Sequence, residues 1–267
     1  MIKFLDFCKA NKHLNLDEAF LFWAVFDEKK YEKSLNDINF YIKQIINNYN
    51  PKEYDFSNEY IKALCQYAKK SRLEFSINKN ISRFKARGIF HNLIKKNILK
   101  IEKNQDLIKI HKRFYQQNKV IFTSNYTRFY FYFLKPNEKL ILNDKERAFN
   151  KIINNFSEYL SFIYELAACE YAQNKFNIFN VSSIWGKDYE CDIYYNNDDF
   201  CLLGEVKYKG KKICLKTLNE LINKAKLLNL KVDYYLLFSN SGFSNNLLAN
   251  KNNNVLCKDI FSFKEFL

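Results

Sequence analysis

Apolar positions recur at helical spacing along most of the chain and give way to two-residue alternation in only a few places. Leu16 to Phe26 and Ile38 to Tyr49 are apolar-rich stretches whose spacing fits packed helices, and Pro51 ends that run. Trp23 and the phenylalanines around it read as core. Glu59 to Lys70 places Ile61, Leu64, Cys65 and Ala68 on one helical stripe, and Ile81 to Asn97 gathers Ile81, Phe84, Ile89, Leu93 and Ile94. Leu99 and Ile101, a polar turn from Lys103 to Asp106, then Ile108 and Ile110 alternate as a two-stranded wing should. Further on, Phe149, Ile152, Ile153, Phe156, Leu160, Ile163, Tyr164, Ala167 and Tyr171 trace one face of a long helix. A strand-like segment follows at Phe176 to Ile184. Leu215, Leu218, Leu221, Ile222, Ala225 and Leu228 trace another helix, and VDYYLLF, Val232 to Phe238, is the unbroken apolar run of a buried strand.

Between those two helices the alternation is strongest. Tyr189 to Tyr195 and Phe200 to Tyr208 read as the arms of a β-hairpin joined by Asn196-Asn197-Asp198-Asp199. Side chains alternate faces along a strand, so Glu190 shares a face with Asp192, and Glu205 with Lys207, while Val206 turns away. If the two faces coincide, three carboxylates and an ammonium converge. Hard oxygen ligands of this kind suit Mg²⁺ (or Mn²⁺), and a lysine beside them can orient or deprotonate a bound water.

Length and charge add a second theme. A chain of 267 residues accommodates two compact domains, and the pattern divides it into a helical region 1–50, a basic module 51–115, an aromatic segment 116–148 and an α/β domain 149–267. Residues 51–120 carry seventeen basic residues against six acidic ones, which accounts for most of the net charge of +14. Cations concentrated in one module are what phosphate-backbone binding needs. Helices followed by a hairpin favour a winged helix, with Ile81 to Asn97 as the recognition helix and Arg83, Lys85, Arg87, Lys95 and Lys96 as nucleic-acid contacts outside its apolar stripe. Winged helices also dock proteins, and that alternative stays open. The aromatic run Tyr126 to Phe133 reads as a packing layer between domains or subunits, a route to a homodimer, rather than as a base-stacking surface. Seven cysteines with no C-x-x-C pair point to reduced thiols and a cytoplasmic setting, and no apolar run is long enough for a membrane span.

Asp192, the hairpin turn and Glu205-Val206-Lys207 together resemble the signature of the PD-(D/E)XK nuclease superfamily. Trp185, Glu190-Cys191-Asp192-Ile193 and Gly204-Glu205-Val206-Lys207-Tyr208 resemble, more narrowly, the nuclease-like domain of unknown function that follows the ATPase module in archaeal-type P-loop ATPases. Val120 to Asn137 is similar to that family's junction, with Asn125 where an aspartate is usual and Tyr126 where proline is frequent. The resemblance implies an N-terminal helical and winged-helix region followed by an αβββαβ restriction-endonuclease-like domain. It implies that Asp192, Glu205 and the Val206 carbonyl hold the metal, that Glu165, matching the family's FE pair, adds a carboxylate, and that Lys207 assists the attacking water. No G-x-x-x-x-G-K-[ST] occurs here, so an ATPase would have to be a separate chain. The expectation is a Mg²⁺-dependent deoxyribonuclease; the alternative is a non-catalytic DNA-binding regulator or assembly module built on a nuclease-like fold. Glu190 reads equally as ligand or salt-bridge partner, and Lys224 could reach the site from the second helix but reads better as a surface lysine.

Overall fold

The computed structural model describes residues 1–26, 37–69, 82–103, 118–186, 189–208, 210–250 and 252–267, apart from the side chain of Arg83. It is a mixed α/β chain with a helical N-terminal part and a C-terminal sheet, and it divides into two units, the boundary falling between Tyr159 and Leu160.

In the first unit, α1 (Phe4–Ala10) and α2 (Leu16–Val25) bury Phe4, Phe7, Phe20, Phe22 and Trp23. Asn15 and Glu18 cap α2 reciprocally, each side chain accepting the other's backbone N–H at 2.9 Å, a device that contributes about 1 kcal/mol. The Trp23 indole donates to the Ile2 carbonyl at 2.9 Å, so it is core as expected. Next come α3 (Ile38–Asn47), α4 (Asn58–Ala68) and α5 (Arg83–Lys95). On α5 the buried stripe is Ala86, Ile89, Phe90 and Leu93. Phe84 was expected there and is instead 90% exposed, because two residues before Ala86 is the opposite side of a 3.6-residue turn.

Strand β1 (Leu99–Glu102) pairs antiparallel with β2 (Lys119–Phe122), Leu99 facing Phe122. The expected return arm at Ile108 to Ile110 lies outside the described residues; the described partner of β1 comes from the start of the aromatic segment. That segment continues as α6 (Asn125–Phe129), a π-helical turn Tyr130–Leu134, a 3₁₀ turn and α7 (Glu138–Asn143). Phe129, Tyr130, Phe131 and Phe133 are all buried, on every side of the helix rather than one stripe, as in a helix surrounded by its own domain. Phe131 lies 5.0 Å from Tyr54, and Phe129 lies 5.9 Å from Tyr159. The run is buried, as expected of a packing layer, and these ring contacts fall within the first unit. The departure at Asn125 has a local reason: its amide donates to the Trp23 carbonyl at 2.6 Å, which an ionised aspartate could not do. Arg128 is buried beside it, donating to the Ala68 carbonyl at 3.2 Å.

Helix α8 (Lys145–Phe176) contributes residues to both units. It runs through Phe176, so the strand expected to begin there starts later, as β3 (Ser182–Trp185). Asn177 and Asn180, at φ 52° and 62°, adopt the left-handed conformation that ends the helix and turns the chain. Then follow β4 (Glu190–Asn196), β5 (Cys201–Lys207), α9 (Leu215–Leu227), β6 (Tyr234–Ser239), α10 (Asn245–Leu248) and β7 (Val255–Lys258). The sheet order is β3-β4-β5-β6-β7, antiparallel through the hairpin and parallel from β5 to β7. Helix, three strands, helix and strand occur in the order expected, and β7 and a terminal 3₁₀ helix (Ile260–Phe266) extend it. Leu203 and Leu237 pack with Leu218, Leu221 and Ala225 of α9, while Phe238 meets Tyr164 of α8 at 5.0 Å. Gly204 serves this packing: a Cβ there would stand 2.6 Å from the Leu236 carbonyl oxygen and 2.9 Å from Ile193. Among the described residues, no helix is long and apolar enough to cross a membrane, and the seven cysteines are unbridged.

Candidate functional site

The hairpin turns where the sequence places the turn. Asn197 Oδ1 accepts the N–H groups of Asp199 and Phe200 at 3.1 and 2.7 Å, closing it without a glycine. Its arms pair in the register Ile193 to Gly204 and Tyr194 to Leu203. Past Ile193 the Asp192 side chain replaces the ladder: Oδ2 accepts the Val206 N–H at 2.8 Å. The carboxylate of one arm is thereby fixed against the Glu205-Val206-Lys207 segment of the other. Its own carbonyl receives the Cys169 thiol of α8 at 3.6 Å.

Glu205, 14% exposed, accepts from Lys207 Nζ at 2.7 Å on one oxygen and from Lys224 Nζ at 3.0 Å on the other. Lys224 comes from α9 and donates also to the Glu190 carbonyl at 2.7 Å. Of its two readings, a surface lysine and one that reaches the site from α9, the structure favours the second and brings it into the cluster. The signal was available, since Lys224 stands three residues after Leu221 and one before Ala225, at the edge of the stripe that buries α9. Glu190 meets Lys224 through its main-chain carbonyl.

Burial, then the charges of Glu165 and Glu205, push the Asp192 carboxyl up to about 8, against the lowering effect of the Val206 N–H and of Lys207. Two of the other expected metal-site residues, Glu205 from the hairpin and Glu165 from α8, therefore lie within electrostatic reach of Asp192. Val206 is buried and contributes its N–H to Asp192. At Lys207 burial disfavours the ammonium, but Glu205, Asp192 and Glu165 outweigh it and raise the pKa. At Lys224 burial is likewise outweighed by Glu205. Both lysines are thus firmly cationic, suited to donating hydrogen bonds and holding an anion rather than to accepting a proton. Among the described residues no three His, Cys, Asp or Glu side chains close on an ion position as they stand. The donor chemistry nevertheless suits a hard divalent cation: a carboxyl raised by two carboxylates is relieved by a positive charge placed among them.

The expected nucleic-acid residues separate into two sets. Lys85 pairs with Glu59 of α4 at 2.5 Å, and Lys96 lies 5.2 Å over the Phe56 ring, so both lean toward their own unit. Arg87 and Lys95 are exposed on the outer face of α5. Arg83 opens α5, and its side chain lies outside the described residues.

Residues 130–221 match the family described as Archaea bacterial proteins of unknown function. The matched span holds Glu165, Asp192, Glu205 and Lys207, stops short of Lys224 and excludes α5. No curated protein and no solved structure gives a match.

Proposed function

We propose that this chain is a metal-dependent nuclease of the restriction-endonuclease-like kind that hydrolyses phosphodiester bonds in DNA, with the basic α5 module as a winged helix binding nucleic acid. The observation that carries this reading is the Asp192 carboxyl, bonded to the Val206 N–H and raised first by burial and then by Glu165 and Glu205, beside the cationic Lys207. Such a group is poised for a divalent ion, and the D…E-x-K spacing on a hairpin supports the same reading. Asp192, Glu205, Glu165 and the Val206 carbonyl would hold Mg²⁺ or Mn²⁺. When bound, the ion supplies a Lewis acid that acidifies water and offsets phosphoryl charge. Lys207 donates a hydrogen bond that orients the attacking water, and as a cation it stabilises charge developing on the phosphoryl oxygens. Lys224 keeps the Glu205 carboxylate aimed by holding one of its oxygens.

The test is nicking of supercoiled plasmid, with branched and single-stranded DNA in parallel, with and without Mg²⁺ or Mn²⁺. Cleavage that needs the metal and is lost in Asp192→Ala and in Lys207→Ala is the expected result. Salt-sensitive DNA binding with no cleavage of any of these substrates would favour the non-catalytic regulator instead, or an enzyme that requires an ATPase chain.

A further inference from the structure

The solvent side of α5 carries Phe84, Arg87, Gly88, His91 and Lys95, all exposed. Their spacing of three, four, seven and eleven residues from Phe84 sets them along one face of the helix, opposite Ala86, Ile89, Phe90 and Leu93. Two features of that line are unexplained by the fold. Phe84 is 90% exposed, the most exposed of the large apolar side chains described. Gly88 sits in the helix interior, where glycine is a poor choice, and yet a Cβ added there would meet nothing within 4 Å. Among the described residues nothing requires that residue to be small. The remaining positions supply cationic or hydrogen-bonding groups.

We propose that this line is the nucleic-acid face of the protein and that it takes duplex DNA containing an unpaired or unstacked base. Phe84 stacks on that base, Gly88 lets the helix backbone lie directly against the sugar-phosphate chain, and Arg87 and Lys95 contact flanking phosphates. This rests on the nucleic-acid reading above and narrows its substrate. The occupant follows from charge and shape together: a polyanion suits Arg87 and Lys95 in a module carrying eleven surplus cations, a flat ring suits Phe84 because every base has a π-face, and a helix bared to its backbone at Gly88 suits a close-lying strand.

The test is fluorescence anisotropy of the full chain, in EDTA so that nothing is cut, with a labelled duplex and with the same duplex carrying an unpaired bulge. Wild type binds the bulged duplex about tenfold more tightly, the scale of one base-to-aromatic stack. Phe84→Ala brings that ratio close to one while leaving binding to the intact duplex within about twofold. Gly88→Leu weakens both complexes without lowering the melting temperature. Arg87→Ala with Lys95→Ala weakens both alike and flattens the dependence on salt. A ratio near one in wild type, or an unchanged ratio in Phe84→Ala, overturns the inference while salt-dependent binding keeps the nucleic-acid reading. Full binding by Gly88→Leu overturns the close approach of the backbone. No salt-dependent binding of either DNA overturns the nucleic-acid reading itself, as a protein-docking face would.

Discussion

The hairpin cluster and helix α5 both carry many charges, and they dispose of them in opposite ways. At the hairpin, Asp192, Glu205, Glu165, Lys207 and Lys224 face one another closely enough that Asp192 and the two lysines are shifted from their ordinary values. On α5 Lys85 on the inner flank pairs with Glu59, while Arg87 and Lys95 are exposed on the outer face. Mutual charges held in a half-buried site tune protonation and attract a specific ion; outward charges on one face set long-range affinity for a polyanion. One arrangement suits chemistry, the other suits binding.

Removing an inward charge should therefore have the larger consequence. Asp192→Ala and Lys207→Ala should each lower metal-dependent nicking by roughly a hundredfold or more, measured on plasmid, whereas Arg87→Ala with Lys95→Ala should raise the DNA concentration needed and leave the rate at saturation unchanged. Equal losses of rate at saturation in both sets would erase the contrast.

The stability of the inward cluster should also depend on pH in a defined direction. Asp192 titrates at about 8 in the folded chain against about 3.9 in an unfolded one. The folded state therefore binds more protons between those values, so stability is greatest below the lower one and falls as pH rises toward the upper. Asp192→Asn keeps an acceptor for the Val206 N–H and removes the titration. Its melting temperature should exceed that of wild type at pH 8 and approach it at pH 4, and Mg²⁺ should raise the wild type alone. A variant that melts below wild type at pH 8 would count against the crowding of carboxylates.

Lys224→Met is a finer probe, since it uncovers one oxygen of Glu205 and the Glu190 carbonyl together. A loss of roughly 1–2 kcal/mol in urea unfolding is expected, and a negligible change would return Lys224 to the surface. The smallest effect belongs to Lys85→Ala, whose exposed pair with Glu59 should be worth less than about 1 kcal/mol and whose DNA affinity should change less than that of Arg87→Ala.

Strands β4, β5 and β6 and helix α9 were legible to within about two residues because strong periodicity and turn chemistry agreed there. Residues β7 and the terminal 3₁₀ helix were not, since a short strand such as Val255–Lys258 gains its identity from pairing with Tyr235 to Phe238 rather than from local pattern. Phe84 was misplaced because it is apolar and within reach of the stripe by composition; only the phase fixed by Ala86, Ile89, Phe90 and Leu93 turns it outward. Lys224 was undervalued because a lysine at the edge of a buried stripe reads the same whether it meets solvent or a carboxylate.

The sequence by itself determined the hairpin, its turn, the chemistry on its arms and the concentration of positive charge before it, because these are properties of short spacings and of local composition. Only the tertiary structure decided which charges meet. Whether Glu165 approaches Asp192, whether Lys224 holds Glu205, and which segments the buried run Tyr126 to Phe133 packs against depend on segments far apart in the chain being packed against one another. Those contacts carry no local periodicity, and the shifted protonation of Asp192 exists only once burial and neighbouring carboxylates act on it together.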